Sequence, residues 1–315
     1  MIYMKLKEIR GIFYGTSDFG LPALAWLFEH TRLVAIVTTP DMPAGRQQLP
    51  APSPVKKWAV AHQDVILFQP RFLKNEYFEQ ALRHLSPDLA VTASYGKIIP
   101  KNLLEIPARK TLNLHPSLLP KYRGASPVQT AVLNGDKITG TTLMLMDEEL
   151  DHGPILAQKE LAIQNGETAP DLRQRLAVFS ADLLAQTLPK YLAGQLRPRP
   201  QDHTQATLTW QFHKEDGHID WTKSAEEIER MTRALNPWPG TFTNTNLNKT
   251  IKIYQTSLSD EKKYQPGEVG IETKKIFVGT GSTDLEILEL QMAGGNRMSA
   301  ENFVTGFRGA LNFTN

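Results

Sequence analysis

The residues from Thr111 to Gln129 read TLNLHPSLLPKYRGASPVQ, placing an amide, an imidazole and a Pro-bounded turn within a few positions of one another. Side chains at i and i+2 of a strand share a face, so Asn113 and His115 stand side by side at the end of a strand that stops at Pro116. Any one of the eight histidines, taken alone, reads as a structural or surface residue; the strand-end setting and the neighbouring amide distinguish His115. A third polar group comes from DEELDHG, where Asp147 and Asp151 lie on one loop and either could orient the imidazole or a water. No serine has the flanks of a nucleophile elbow, since Ser94 and Ser117 lack the Gly-x-Ser-x-Gly setting, and the chain has no cysteine. An amide, an imidazole and a carboxylate without a protein nucleophile suit direct attack of a substrate amine on a carbonyl. The amide stabilises the developing oxyanion and the imidazole moves a proton. The chemistry indicated is acyl transfer between two bound substrates. A metal is the competing reading, but Asp151 and His152 are adjacent, and adjacent strand residues point to opposite faces, which is poor for joint ligation. No metal is expected.

These residues need a scaffold, and the surrounding sequence supplies one. Apolar, β-branched runs (IRGIFYG, RLVAIVTT, DVILFQP, DLAVTASYG, KTLNLHP) alternate with LPALAWLFEH, SPVKKWAVAHQ and NEYFEQALRHLS, whose apolar residues recur at helical spacing. This is the β-α-β rhythm of a parallel sheet covered on both faces, in which ligands bind beyond the strands' C-terminal ends. YGTSDF, TTPDMPAGR, SYGKIIP and NLHPSLLP all fall there. GIFYGTSDFG lacks the glycine pattern of a dinucleotide or P-loop site; the simpler reading is a tight strand-to-helix turn in which Gly15 supplies a special backbone conformation. GTTLMLMDEELDHGPILAQKELAI reads as two more strands around a loop. A helix follows from about Thr168, with Leu172, Leu176, Phe179 and Leu183 on one face.

The segment AGQLRPRPQDHTQA is rich in Pro and polar residues and reads as a linker. The expected organisation is a catalytic domain over 1–194, a linker over 195–207 and a second domain over 208–315. The second domain holds one helical stretch, SAEEIERMTRAL, with Ser224 and Glu227 spaced as a capping box, and short strand-like runs suggesting a small β-barrel. Trp210, Trp221 and Trp238 could stack RNA ends, but packing in a core or domain interface is the role expected of each. The 315 residues are 41% hydrophobic and 22% charged, an ordinary globular composition, and the net charge of +2 does not announce a nucleic-acid binder. From Leu208 onward twelve Lys and Arg face fourteen Asp and Glu, so any basic surface must be local or lie upstream. Zero cysteines exclude disulfides and thiolate ligands. Charges interrupt the apolar runs at the start, and no stretch approaches the roughly 18 apolar residues of a membrane span. A cytoplasmic monomer without a membrane partner is the default expectation.

NLHPSLLPKYRGASPVQ together with GTTLMLMDEELDHGPIL resembles the active-site signature of the formyltetrahydrofolate-dependent formyltransferases. Resemblance to the branch that acts on methionyl-tRNA extends along nearly the whole chain, in GTSDF, PDMPAGRQQLPAPSPVK, SYGKIIP, IDW, NPWPG and MSAENF. It implies a Rossmann-like, doubly wound, mostly parallel α/β domain followed by an OB-like barrel. It also implies transfer of the formyl group of 10-formyltetrahydrofolate to the methionine amino group of initiator methionyl-tRNA. By the same resemblance Asn113 donates to the formyl oxygen, His115 stabilises it and shuttles protons, and Asp151 positions His115 or a water and accepts the proton from the attacking ammonium. Ser117, Leu118, Leu119 and Pro120 line the folate site; Tyr95, Gly96 and Ile98, with the loop from Asp147 to Leu150, wall the pterin. Arg46, on an insert loop spanning about 40–54, reaches the tRNA acceptor end, with Arg197 and Arg199, and Lys249 and Lys252, as further candidates for backbone contact. The same chemistry on an amino-sugar nucleotide is the alternative, against which TTPDMPAGRQQLPAPSPVK speaks. A nicotinamide oxidoreductase would need a dinucleotide loop that is missing, and a non-catalytic nucleic-acid binder would not need His115.

Overall fold

The computed structural model describes residues 6–44, 49–307 and 311–314. The chain divides into two compact units, one formed by Met1–Pro127, Ile138–Ala162 and Arg173–Thr209, the other by Val128–Lys137, Ile163–Leu172 and Trp210–Asn315.

The first unit runs β1 (Arg10–Gly15), α1 (Leu21–His30), β2 (Arg32–Val37), a hairpin of β3 (Met42–Ala44) and β4 (Leu49–Ala51), α2 (Pro54–Ala61), β5 (Ile66–Phe68), α3 (Glu76–His84), β6 (Leu89–Ala93), α4 (Lys101–Leu104), β7 (Thr111–His115) and β8 (Arg123–Gly124). After α5 (Pro127–Asn134), which crosses into the other unit, come β9 (Ile138–Leu145), β10 (Ile155–Ala162), α6 (Ala169–Leu192) and β11 (Leu208–Thr209). Its main sheet has the order β10-β9-β7-β6-β1-β2-β5. The strands from β5 to β7 are parallel, and β9 runs antiparallel to both β7 and β10. Every residue of β6 is buried, as a strand covered on both faces requires. Helices form where the sequence caps them: Ser53 accepts from Lys56 N at the start of α2, and Asn75 from Phe78 N at the start of α3. Ile12, Tyr14, Val37, Phe78, Leu82 and Leu103 form one core on this sheet, each large aliphatic or aromatic side chain contributing roughly 1.5–3 kcal/mol by burial.

The turn after β1 differs from expectation. Gly15 does not adopt a positive φ. A Cβ there would lie 2.4 Å from the Phe13 ring and 3.1 Å from Ala93 O, so glycine serves close packing of the turn against β6, not backbone freedom. In the insert, Asp41 is gripped by Lys56 Nζ at 2.7 Å and by Gln69 Nε2 at 3.0 Å. These partners hold its carboxyl below the usual carboxylate range, the Lys56 hydrogen bond most of all. Arg46 lies outside the described residues.

The second unit contains α7 (Ala225–Leu235), β12 (Thr241–Thr245), β13 (Thr250–Leu258), β14 (Val269–Glu272), β15 (Lys275–Val278), β16 (Leu285–Met292), β17 (Met298–Ser299), α8 (Ala300–Gly306) and β18 (Phe313–Thr314). The order is β14-β15-β16-β13-β12-β18, all antiparallel, with β17 on β16. The two ends meet where Phe313 N donates to Gly267 O at 2.9 Å and Val269 N to Asn312 Oδ1 at 3.2 Å, which curls the sheet toward a small barrel and leaves less open edge. Trp221, fully buried, donates to Thr243 Oγ1 at 3.0 Å among Ile251, Ile253, Ile276, Val278 and Leu285. The Ser224–Glu227 capping box starts α7 as its spacing predicts. Trp210 and Trp238 correct the packing expectation: they are 69% and 62% exposed. Among the described residues no helix is long and apolar enough to cross a membrane.

Candidate active site

Asn113 and His115 occupy alternate positions of β7, and its register sets Asn113 beside Thr92 of β6 and His115 beside Thr142 of β9. The loop between β9 and β10 returns Asp151 to the same strand end. Asn113 Nδ2 donates to Asp151 Oδ1 at 3.2 Å, and His115 Nδ1 lies 3.5 Å from that oxygen. Both ionisable side chains are almost enclosed, His115 6% and Asp151 11% exposed. The other carboxylate oxygen accepts from Gly124 N at 2.8 Å.

Hydrogen-bond capacity assigns the protons. A carbonyl oxygen only accepts, so His115 Nε2, 2.9 Å from Tyr122 O, carries hydrogen. Nδ1 then either presents a lone pair toward Asp151 or carries the second proton of an imidazolium that the carboxylate stabilises. A carboxylate accepts from the amide only through its nitrogen, so the Asn113 NH2 faces Asp151 and retains one further N–H. The arrangement can accept a proton on His115 Nδ1 and donate a hydrogen bond from Asn113, with no nucleophile of its own. Of the two loop carboxylates, Asp151 is the one at this constellation. Asp147 Oδ2 faces His152 Nδ1 at 2.7 Å and its Oδ1 accepts from Glu149 N.

The turn after β7 is internally tied. Ser117, fully buried, donates to Lys121 O at 2.6 Å. Thr142 Oγ1 accepts from Leu119 N at 3.1 Å and donates to Ser117 O at 2.7 Å, and Gln158 donates to Leu119 O. The Leu119–Pro120 bond is cis, and Leu118 packs over Gly140. The Ser117 hydroxyl is thereby committed to the turn. Tyr95 is core: its ring meets Tyr14 edge-on at 5.5 Å, its hydroxyl is buried with no partner among the described residues, and burial pushes the phenol up to about 12. Gly96 has φ +81° and Ile98 is 80% exposed. A Lys101–Glu148 ion pair at 2.6 Å joins the segment after Ile98 to the Asp147–Leu150 loop. Arg197 and Arg199 are exposed, while the Arg199 backbone pairs with Ile155.

One residue at the site, Gln201, carries no sequence signal of its own, while Arg123 and Gly124 lie in the quoted signature with no role assigned to them. Gln201 belongs to the polar segment expected as a linker, yet its Nε2 donates to Asp151 O and Gly153 O, both at 2.8 Å. Arg123 donates to Gln201 Oε1 and to His203 Nδ1. A lone Gln in a Pro-rich stretch gives no periodicity to read, and only its tertiary partners distinguish it. Among the described residues no group of three or more His, Asp or Glu could hold a metal ion.

Comparison with known proteins identifies the family. The family model described as formyl transferase matches residues 25–188, and that described as formyl transferase, C-terminal domain, matches residues 211–308. A methionyl-tRNA formyltransferase of Methylacidiphilum infernorum (isolate V4) is 42% identical over 310 residues, 96% of this chain and 97% of that protein. One from Staphylococcus aureus (strain MW2) is 37% identical over 303 residues, 95% and 97% of the two chains. Among solved structures, HypX from Aquifex aeolicus in complex with tetrahydrofolic acid aligns with a TM-score of 0.64 at 16% identity over 98% of this chain, which spans about half (51%) of that one. An N-formyltransferase from Helicobacter canadensis, in complex with folinic acid and dTDP-3-aminofucose, aligns with a TM-score of 0.65 at 18% identity over 89% of this chain and 98% of that one. At such identities the two structures speak for the fold.

Proposed function

The chain belongs to the formyl transferase family, and from that premise we propose that it transfers the formyl group of 10-formyltetrahydrofolate to the methionine amino group of initiator methionyl-tRNA. The observation that carries the reading is the Asn113–His115–Asp151 constellation, closed at 3.2 and 3.5 Å without a protein nucleophile. The choice of acceptor is supported by relatives named methionyl-tRNA formyltransferase, identical at 37–42% over almost their whole length. An amino-sugar nucleotide as acceptor is not favoured, because the sugar N-formyltransferases align at 17–18% identity, which supports the fold alone.

The folate cosubstrate supplies a formyl carbonyl bonded to a nitrogen that can leave. The remaining N–H of Asn113 donates to the formyl oxygen as negative charge develops there. His115 Nδ1 takes the proton that the attacking amine sheds, and Asp151 stabilises the resulting imidazolium. The reverse transfer from His115 protonates the departing nitrogen. Orientation of the two substrates against each other supplies much of the acceleration, so covalent catalysis is unnecessary. Gly96, the exposed Ile98 and the Asp147–Leu150 loop fit a flat heterocycle: exposed loop backbone matches its donors and acceptors, and Ile98 and Leu150, 80% and 59% exposed, offer apolar cover. Leu118, Leu119 and Pro120 shape the adjoining turn. Arg46, with the exposed Arg197 and Arg199, supplies cations for the tRNA backbone.

The test is formylation of methionine-charged initiator tRNA, in parallel with an amino-sugar nucleotide, by wild type and His115→Ala. Product on the tRNA, lowered by roughly 100-fold or more in the variant, is expected for removal of the general base. Product on the sugar alone would discard the RNA assignments.

A further inference from the structure

We infer that Gln201 is a positioning residue for the reaction, setting the aim of the Asp151 carboxylate from a segment that sequence alone reads as a linker. The inference rests on the formyl-transfer reading of the site.

Asp151 adopts φ +48°, a left-handed conformation that L-residues disfavour. Two residues on, a Cβ at Gly153 would lie 2.0 Å from Leu145 O, so the turn is held tightly against β9. Gln201, 5% exposed, brackets that turn by donating both N–H groups of its amide to Asp151 O and Gly153 O at 2.8 Å. Its Oε1 accepts from Arg123 Nε at 3.2 Å and from Nη2 at 2.7 Å. A guanidinium only donates, so the amide is fixed in one orientation, with nitrogen toward the carbonyls. Arg123 is itself 7% exposed and forms no ion pair among the described residues; its other acceptor is His203 Nδ1 at 2.8 Å.

The next residue completes the grip. Gly124 N donates to Asp151 Oδ2, so Arg123–Gly124 and Gln201 hold Asp151 from both ends, one at the carboxylate and the other at the backbone. Gln201 cannot swing, because the segment carrying it is stitched on either side. Arg199 N and O pair with Ile155 at 2.8 and 2.7 Å, and Arg123 N donates to Thr207 O at 2.9 Å. Thr209 Oγ1 donates to Arg123 O at 3.1 Å. With the Gln201 amide donors gone, the strained Asp151 backbone loses the hydrogen bonds on its own and the Gly153 carbonyl, and Gly124 N and Asn113 alone are left to aim the carboxylate.

Gln201→Glu and Gln201→Ala test this. The Glu variant keeps size and an acceptor for Arg123 but turns a carboxylate oxygen toward two carbonyls; the Ala variant removes both halves of the clamp. With folding checked by thermal melting, each is expected to lower kcat on the accepted substrate by roughly 100-fold, the scale of a small misplacement of a catalytic group. KM for folate and acceptor should stay within about twofold, since no ground-state contact is removed. In an Asp151→Asn background Gln201→Ala should add less than about threefold, because residues acting through one group are not additive. Hydrogen exchange supplies a readout independent of the acceptor: amides of residues 147–153 should exchange faster in Gln201→Ala, with β6 unchanged. Unaltered kcat, full additivity in the Asp151→Asn background, or unaltered exchange at 147–153 would each overturn the inference. A wild type inactive on every acceptor would instead defeat the formyl-transfer reading, leaving the exchange experiment to decide the clamp.

Discussion

Asp151→Asn is the substitution that most directly probes the chemistry. Asparagine is nearly isosteric, but it exchanges one of two acceptor oxygens for a donor. The wild-type carboxylate accepts from Asn113 Nδ2 and from Gly124 N through different oxygens, so the new NH2 must oppose one of these donors whichever way it turns. The larger effect is electrostatic. With His115 Nδ1 3.5 Å from Asp151 Oδ1, Coulomb attraction at an effective dielectric constant near 20 is about 5 kcal/mol for a protonated imidazole. Both side chains are nearly enclosed, so salt screens this little. The asparagine dipole recovers part of it, and the net deficit of about 3–4 kcal/mol corresponds to a fall in kcat of roughly 100- to 1000-fold. The assay is single-turnover formylation at saturating folate and acceptor, with stability followed by urea denaturation. A folded variant retaining kcat within tenfold of wild type would refute the role given to the carboxylate.

Two further substitutions test the surroundings. Gly124→Ala meets both a φ of +110° and a Cβ 2.1 Å from Thr209 O; it is expected to destabilise by about 3 kcal/mol or more and to weaken catalysis by displacing the amide that holds Asp151, and wild-type stability in urea would show this reading to be wrong. Tyr95→Phe removes a buried hydroxyl that has no partner among the described residues, so stability should rise by about 1 kcal/mol with kcat unchanged; a raised folate KM would mean that this hydroxyl meets the ligand.

Several features were legible in the chain itself because they are local. Alternation along TLNLH puts Asn113 and His115 on one face without reference to anything distant. The apolar runs of β1, β2, β6 and β7 follow from strand periodicity, and the Ser224–Glu227 spacing foretells its own capping box. The resemblance in NLHPSLLP and LDHG supplied the pairing with Asp151, which the residues alone left open with Asp147. Short polar strands such as β12, TFTNT, and the two-residue β18 escaped notice, since their pairing partners rather than their composition make them strands.

What the sequence determined by itself, then, is the amide–imidazole pair, the absence of a cysteine or elbow-type serine nucleophile and the β-α rhythm that delivers the pair to a strand end; each is written in spacings of a few residues. Where residue chemistry alone left Asp147 and Asp151 open, tertiary structure supplies the contact behind the resemblance, because Asp151 is 38 residues from Asn113 and reaches it through the antiparallel return of β9. It decided that Gly15 serves packing and that Trp210 and Trp238 face outward while Trp221 fills a core. It also turned an apparent linker into the holder of the site, because Gln201 acquires its role from carbonyls 50 and 48 residues away. Hydrogen bonds across such separations depend on how distant strands and loops register in space, and local periodicity carries no information about that.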